Sequence, residues 1–115
     1  MQFINDDSSV TFDANAATVK FAGTLRLPNA KAYEGLSALL LDAATKVTAP
    51  VLCLDVRELL FLNSSGITTL SLFVINTRNK GKPRLKVLGA QGVAWQHKSL
   101  SNFKKLWADL ELVLS

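Results

Sequence analysis

Apolar and polar residues recur along this chain with two different periods, and the switches between them mark out its elements. Val10-Thr11-Phe12-Asp13 and Ala17-Thr18-Val19-Lys20-Phe21-Ala22 keep a period of two, with Val19 and Phe21 on one face and Thr18 and Lys20 on the other. They read as two strands around a turn at Ala14-Asn15-Ala16, with Phe3 and Ile4 adding a further strand. Gly23 allows a bend or bulge. After Pro28 the period lengthens. Ala32, Tyr33, Leu36, Leu39, Leu40, Ala43 and Val47 recur every three or four residues. That spacing predicts a helix over Ala30 to Lys46 with one buried stripe, capped by Asn29 and ended by Thr48-Ala49-Pro50.

Val51-Leu52-Cys53-Leu54-Asp55-Val56 is apolar without interruption until Asp55, the pattern of a central strand covered on both faces. Leu59-Leu60-Phe61-Leu62 forms a second, short apolar run. A helix follows from Ser65 to about Asn79, capped by Ser64 or Asn63, with Ile67, Leu70, Phe73, Val74 and Thr77 as its inward stripe. Asn79-Lys80-Gly81-Lys82-Pro83 is a turn, and Arg84 to Leu88 alternates as a strand. A shorter helix is expected from Val93 to about His97, resuming at Ser101, packed through Leu100, Phe103, Leu106 and Trp107. Leu110 to Leu114 closes the series as a strand. Alternation of this kind predicts an α/β fold in which right-handed crossovers join parallel strands, and the 115 residues read as a single domain.

Charge changes the picture by its distribution. The net charge is +4, yet no acidic residue lies between Glu58 and Asp109. That stretch carries Arg78, Lys80, Lys82, Arg84, Lys86, Lys98, Lys104 and Lys105. Such asymmetry suits an acidic protein partner, a nucleic acid or an anionic membrane, or simply a solvated basic face. Trp95 and Trp107 fit helix packing, and no nucleic-acid-binding module frames them, so direct nucleic-acid binding is not expected. The first residues are polar and acidic rather than basic then apolar, and the apolar runs are too short to span a bilayer. A cytoplasmic location without a transmembrane segment is the expectation.

Catalytic chemistry is scarce. His97 is the only histidine and Cys53 the only cysteine, which leaves no zinc ligand set. Cys53 reads as a small buried hydrophobe. A Ser-His-Asp triad would have to recruit His97 without a nucleophile motif. Gly89-Ala90-Gln91-Gly92 is too short for a phosphate-binding loop and lacks its lysine. Neither enzymatic activity nor a cofactor or metal is expected.

What remains is Asn63-Ser64-Ser65-Gly66, a hydroxyl-bearing turn where a helix begins. A serine there serves first as a cap, typically contributing about 1 kcal/mol relative to alanine. A phosphate on Ser64 would also meet the free N–H groups and positive end of the helix. Leu60 and Leu62 are candidates for an adjoining contact surface.

The segment Leu52 to Leu70, reading LCLDVRELLFLNSSGITTL, resembles the signature of STAS domains, in particular bacterial anti-anti-sigma factors. The likeness extends from Phe21-Ala22-Gly23-Thr24-Leu25 to the last helix near Leu100 to Trp107. The resemblance implies a mixed, mostly parallel sheet with helices packed mainly on one side. It also implies a non-catalytic antagonist that binds an anti-sigma-factor-like serine kinase, is phosphorylated by it at Ser64, and is restored by a serine phosphatase. Ser65 would be a neighbouring cap or hydrogen-bonding residue, and Gly66 would keep the helix start open. Two positions depart from the family: Asn63 stands where an aspartate is usual, and Arg26 replaces an acidic residue near the switch. Arg26 would pair with a phosphate on Ser64 if the fold brings them together. The alternative is a divergent STAS adaptor that acts without phosphorylation in a signalling or lipid-transport assembly.

Overall fold

The computed structural model describes Met1–Ser115. Six strands form one sheet in sequence order: β1 (Gln2–Asn5), β2 (Ser8–Asp13), β3 (Thr18–Leu25), β4 (Val51–Leu62), β5 (Arg84–Gly89) and β6 (Glu111–Leu114). The β1–β2 and β2–β3 pairs are antiparallel, while β3 through β6 run parallel. Each parallel crossover carries a helix: α1 (Glu34–Lys46, entered through a 3-10 turn at Ala30–Tyr33), α2 (Ser64–Lys80) and α3 (Ala94–Leu106). Successive right-handed crossovers that always step in the same direction place their helices on the same side of a sheet. The helices are accordingly packed on one face, as the STAS resemblance implies.

That face is the core. Val10, Phe12, Val19, Phe21, Leu52, Leu54, Leu85 and Val87 point from the strands into it and meet Leu36, Leu40, Leu70, Phe73, Leu100 and Phe103 from the helices. Burial of each such side chain contributes roughly 1.5–3 kcal/mol. The helices begin and end where the local chemistry dictates. Asn29 caps the 3-10 turn through the Ala32 N–H, and Gly81, at φ +81°, closes α2 in the left-handed conformation that glycine adopts without strain. The expected break within α3 is absent: one helix runs through Ser99, held by buried Gln96, Leu100 and Phe103.

The opposite face of the sheet is open, which corrects the expectation of a β4 covered on both sides. Cys53 points to this open face and is only half-buried. Ion pairs cross it instead of apolar packing: Lys20 with Glu58 at 2.6 Å, Arg57 with Asp55 at 2.8 Å, and Lys86 with Glu111 at 3.6 Å. Asp55 carries the closest set of bonds. Its carboxylate accepts from the Arg57 guanidinium at 3.0 and 2.8 Å and from the Arg57 backbone N–H at 3.1 Å. The guanidinium bonds hold the carboxyl below its ordinary range against the opposing effect of burial.

Candidate functional site

The second apolar run is not a separate element. β4 continues through Leu62, but its register against β3 slips twice, between Lys20 and Ala22 and between Gly23 and Thr24. At the second slip Gly23 pairs with Leu59 and Thr24 with Phe61, so Leu60 is the extra residue of a bulge. Gly23 adopts φ +91° there, in line with the bend expected of it. The bulge resets which side chains face inward. Leu59 and Leu62 are buried, while Leu60 is 64% exposed and Phe61 38% exposed. Of the two leucines assigned to a contact surface, only Leu60 is exposed. Leu62 is a core residue, and Phe61 takes its place.

Arg26 lies beside this pair. Thr24 is opposite Phe61, and Arg26, two residues further on, falls on the same face. Its guanidinium sits over the Phe61 ring, 4.7 Å from the centroid. Cation–π contacts of this exposed kind are worth about 0.5–1 kcal/mol. Arg26 therefore stacks on an aromatic ring.

Asn63 joins the end of β4 to the start of α2, and it is the cap. Its Oδ1 accepts the Gly66 N–H at 3.1 Å and the Tyr33 hydroxyl at 2.6 Å, and its Nδ2 donates to the Leu27 carbonyl at 2.8 Å. An aspartate has no donor for that last bond. The difference from the aspartate usual in the STAS domains it resembles thus has a local reason: the Leu27 carbonyl takes an amide donor here. Burial pushes the Tyr33 phenol above its ordinary range, so it remains a hydrogen-bond donor.

Ser64, the residue assigned to phosphorylation, is the exposed first residue of α2 and takes no part in the cap. Ser65 is half-buried, and its carbonyl accepts the Thr69 hydroxyl at 2.9 Å. Gly66 does not hold the helix start open. A Cβ there would collide with Leu62 and lie 2.8 Å from the Tyr33 hydroxyl, so glycine is what allows α2 to seat on the strand end.

The other side of the bulge is secured by side chains that sequence reasoning missed. β5 stops pairing with β4 at Asp55, leaving the next carbonyls of β4 without a strand partner. Fully buried Gln96 supplies donors to Val56 O at 2.6 Å and Leu59 O at 3.1 Å, while its Oε1 accepts the Ala90 N–H at 2.7 Å. Trp95 Nε1 also donates to Leu59 O, at 2.8 Å. Two elements therefore clamp one exposed ridge: Arg26, Leu60 and Phe61, with Ser64 at its edge. The histidine, cysteine and carboxylates of the chain form no group of three or more that could hold a metal ion.

No protein-family model and no curated protein sequence matches the chain. Solved structures do. One is a chain in the crystal structure of the diguanylate cyclase SiaD in complex with its activator SiaC from Pseudomonas aeruginosa. It has a TM-score of 0.71 at 12% identity, covering 100% of this chain and 99% of that one. Apo-SiaC from the same organism has a TM-score of 0.72 at 11% identity, covering 100% and 97%. A further SiaC structure gives 0.67 at 14%, covering 100% and 94%. The fold is STAS-like. These matches run end to end at identities that speak for the architecture alone.

They also correct the expected partners. SiaC is described as the activator of a diguanylate cyclase and is found in complex with that enzyme. The expected serine kinase and phosphatase do not appear there, and the reading as an anti-sigma factor antagonist switched at Ser64 is set aside. No helix is long and apolar enough to cross a membrane.

Proposed function

We propose that this chain is a non-catalytic STAS-type adaptor, acting as one domain, that binds and regulates a partner in a signalling assembly without phosphorylation of Ser64. The observation that carries this reading is the end-to-end structural likeness to SiaC, which one structure captures with the enzyme it activates. The contact surface is the ridge of Arg26, Leu60 and Phe61 with Ser64 beside it. Asn63, Ser65, Gly66 and Leu62 are the residues that shape it.

Two properties support that choice of surface. Leu60 and Phe61 present adjacent apolar side chains to solvent, and Arg26 supplies a stacked cation at their edge. Aromatic and arginine side chains are over-represented among the few residues that dominate binding energy. The ridge is also rigid, held by the Asn63 clasp on one side and Gln96 and Trp95 on the other. A rigid ridge loses little conformational freedom on binding.

The test is affinity capture from the source cells with wild type and with a Leu60→Ser, Phe61→Ser double variant, followed by purification of whatever protein is depleted. A signalling enzyme or receptor lost from the variant and retained by Ser64→Ala supports the proposal. Equal recovery by the double variant, or loss with Ser64→Ala, contradicts it.

A further inference from the structure

Six of the eight basic residues of the acid-free stretch divide into two groups. Arg78 donates to the Leu106 carbonyl at 2.8 Å, and Lys104 donates to Ala108 and Leu110 carbonyls at 2.7 and 2.6 Å. Both thereby secure the C-terminal end of α3. Lys86 pairs with Glu111 across β5 and β6. Lys80, Lys82 and Arg84 make no such contact; all are exposed and none belongs to an ion pair.

These free cations share one groove, about 660 Å³ in volume, whose lining contains no acidic residue. It lies at the Pro50 end of β4, the end opposite the Leu60–Phe61 ridge. Its lining includes apolar groups from Leu41, Val47 and Pro50. The C-terminal ends of α1 and α2 open onto it, through Ala44 and Thr45 of α1 and Lys80 and Gly81 of α2. Only Val47 N–H caps α1, on the Ala43 carbonyl, so the carbonyls of Ala44 and Thr45 take no backbone donor from the chain.

This combination selects among anionic ligands. Helix C-termini carry partial negative charge, and their carbonyls require donors. A compact phosphate has strong acceptor oxygens and would be repelled by those carbonyls. A peptide segment offers carboxylates for the cations, backbone N–H groups for the carbonyls and an apolar side chain for Leu41 and Val47. We propose that the groove is a second interaction surface that takes an acidic, leucine-containing segment of a protein partner. This surface is independent of the ridge at the other end of the sheet.

A fluorescein-labelled peptide of glutamates interspersed with leucines is the probe, titrated by fluorescence anisotropy into the full chain. Saturable binding is expected, with amide chemical-shift changes at Leu41, Val47 and Asn76. A Lys80→Gln, Lys82→Gln, Arg84→Gln variant should bind about ten-fold more weakly or worse while melting like wild type. The Leu60→Ser, Phe61→Ser variant should bind the peptide as wild type does, which separates this result from that for the ridge. Absence of saturable binding, or unchanged binding by the triple variant, would overturn the proposal. So would pyrophosphate or phosphatidylglycerol vesicles occupying the groove in preference to the peptide.

Discussion

Replacing Asn63 by aspartate should weaken this protein, and the geometry gives the size of the effect. In Asn63→Asp the side chain can still accept from Gly66 N–H and the Tyr33 hydroxyl. Those bonds become charge-assisted, and a carboxylate at a helix N-terminus gains about 0.3–1 kcal/mol from the dipole. Against this, the 2.8 Å bond from Nδ2 to the Leu27 carbonyl is lost, and an acceptor faces an acceptor at that distance. Leaving a buried polar group without its partner costs roughly 1–3 kcal/mol. The site is half-buried, and the net expectation is a loss of about 1–2 kcal/mol. Asn63→Ala removes the cap and all three bonds together and should cost about 2–3 kcal/mol. Urea unfolding at pH 7, monitored by circular dichroism, reads both. For a domain of this size, each kcal/mol also lowers Tm by about 4 °C. Wild-type or greater stability in Asn63→Asp would refute the clasp, since the dipole term alone predicts stabilisation.

The other expectations follow from the same contacts. Gln96→Leu leaves Val56 O and Ala90 N–H without their bonds, Leu59 O keeping the one from Trp95, and should cost about 2–4 kcal/mol in urea unfolding; a loss below about 0.5 kcal/mol would mean that Gln96 is not what secures the bulge. Gly66→Ala should cost about 1–3 kcal/mol through overlap with Leu62 and the Tyr33 hydroxyl, despite alanine's better helix propensity, and an unchanged Tm would rule out the close approach. Asp55 has a depressed carboxyl pKa, so its contribution is complete above the unfolded value of about 3.9 and is lost as pH falls through the lower folded value. The stability gap between wild type and Asp55→Asn should therefore narrow between about pH 5 and pH 2, and a gap that stays constant or widens would contradict the assignment.

The order and type of the elements were legible because hydropathy periods changed cleanly, from two at Val19 and Phe21 to between three and four at Leu36, Leu40 and Ala43. The site was less legible. Leu60 and Leu62 sit two apart, which in an unbroken strand puts them on one face, but a bulge at Leu60 separates them. Nothing in four consecutive apolar residues marks where an extra residue is inserted; the pairing with Gly23 decides it. Asn63 and Ser64 are both good caps by type, and the choice fell to Asn63 because only an amide also satisfies Leu27. Gln96 occupies a helix position that reads as solvated. It is buried because β5 ends early and β4 needs donors there. A signal was present in Trp95-Gln96, two side chains with N–H donors at the start of a helix, but only the fold supplies the carbonyls they meet. Uninterrupted apolar character in Val51 to Leu54 suggested two covered faces, whereas the open face tolerates Cys53 between Lys86 and Thr18.

At the centre stands the claim that the unmodified chain binds a signalling partner through Leu60 and Phe61. Isothermal titration of the captured partner with wild type, the Leu60→Ser, Phe61→Ser double variant and Ser64→Ala measures it directly. Both ridge residues are exposed, so the double variant should lose no more than about 1 kcal/mol of stability. Affinity should fall at least about ten-fold in that variant and stay unchanged in Ser64→Ala. Wild-type affinity in the double variant would contradict the claim.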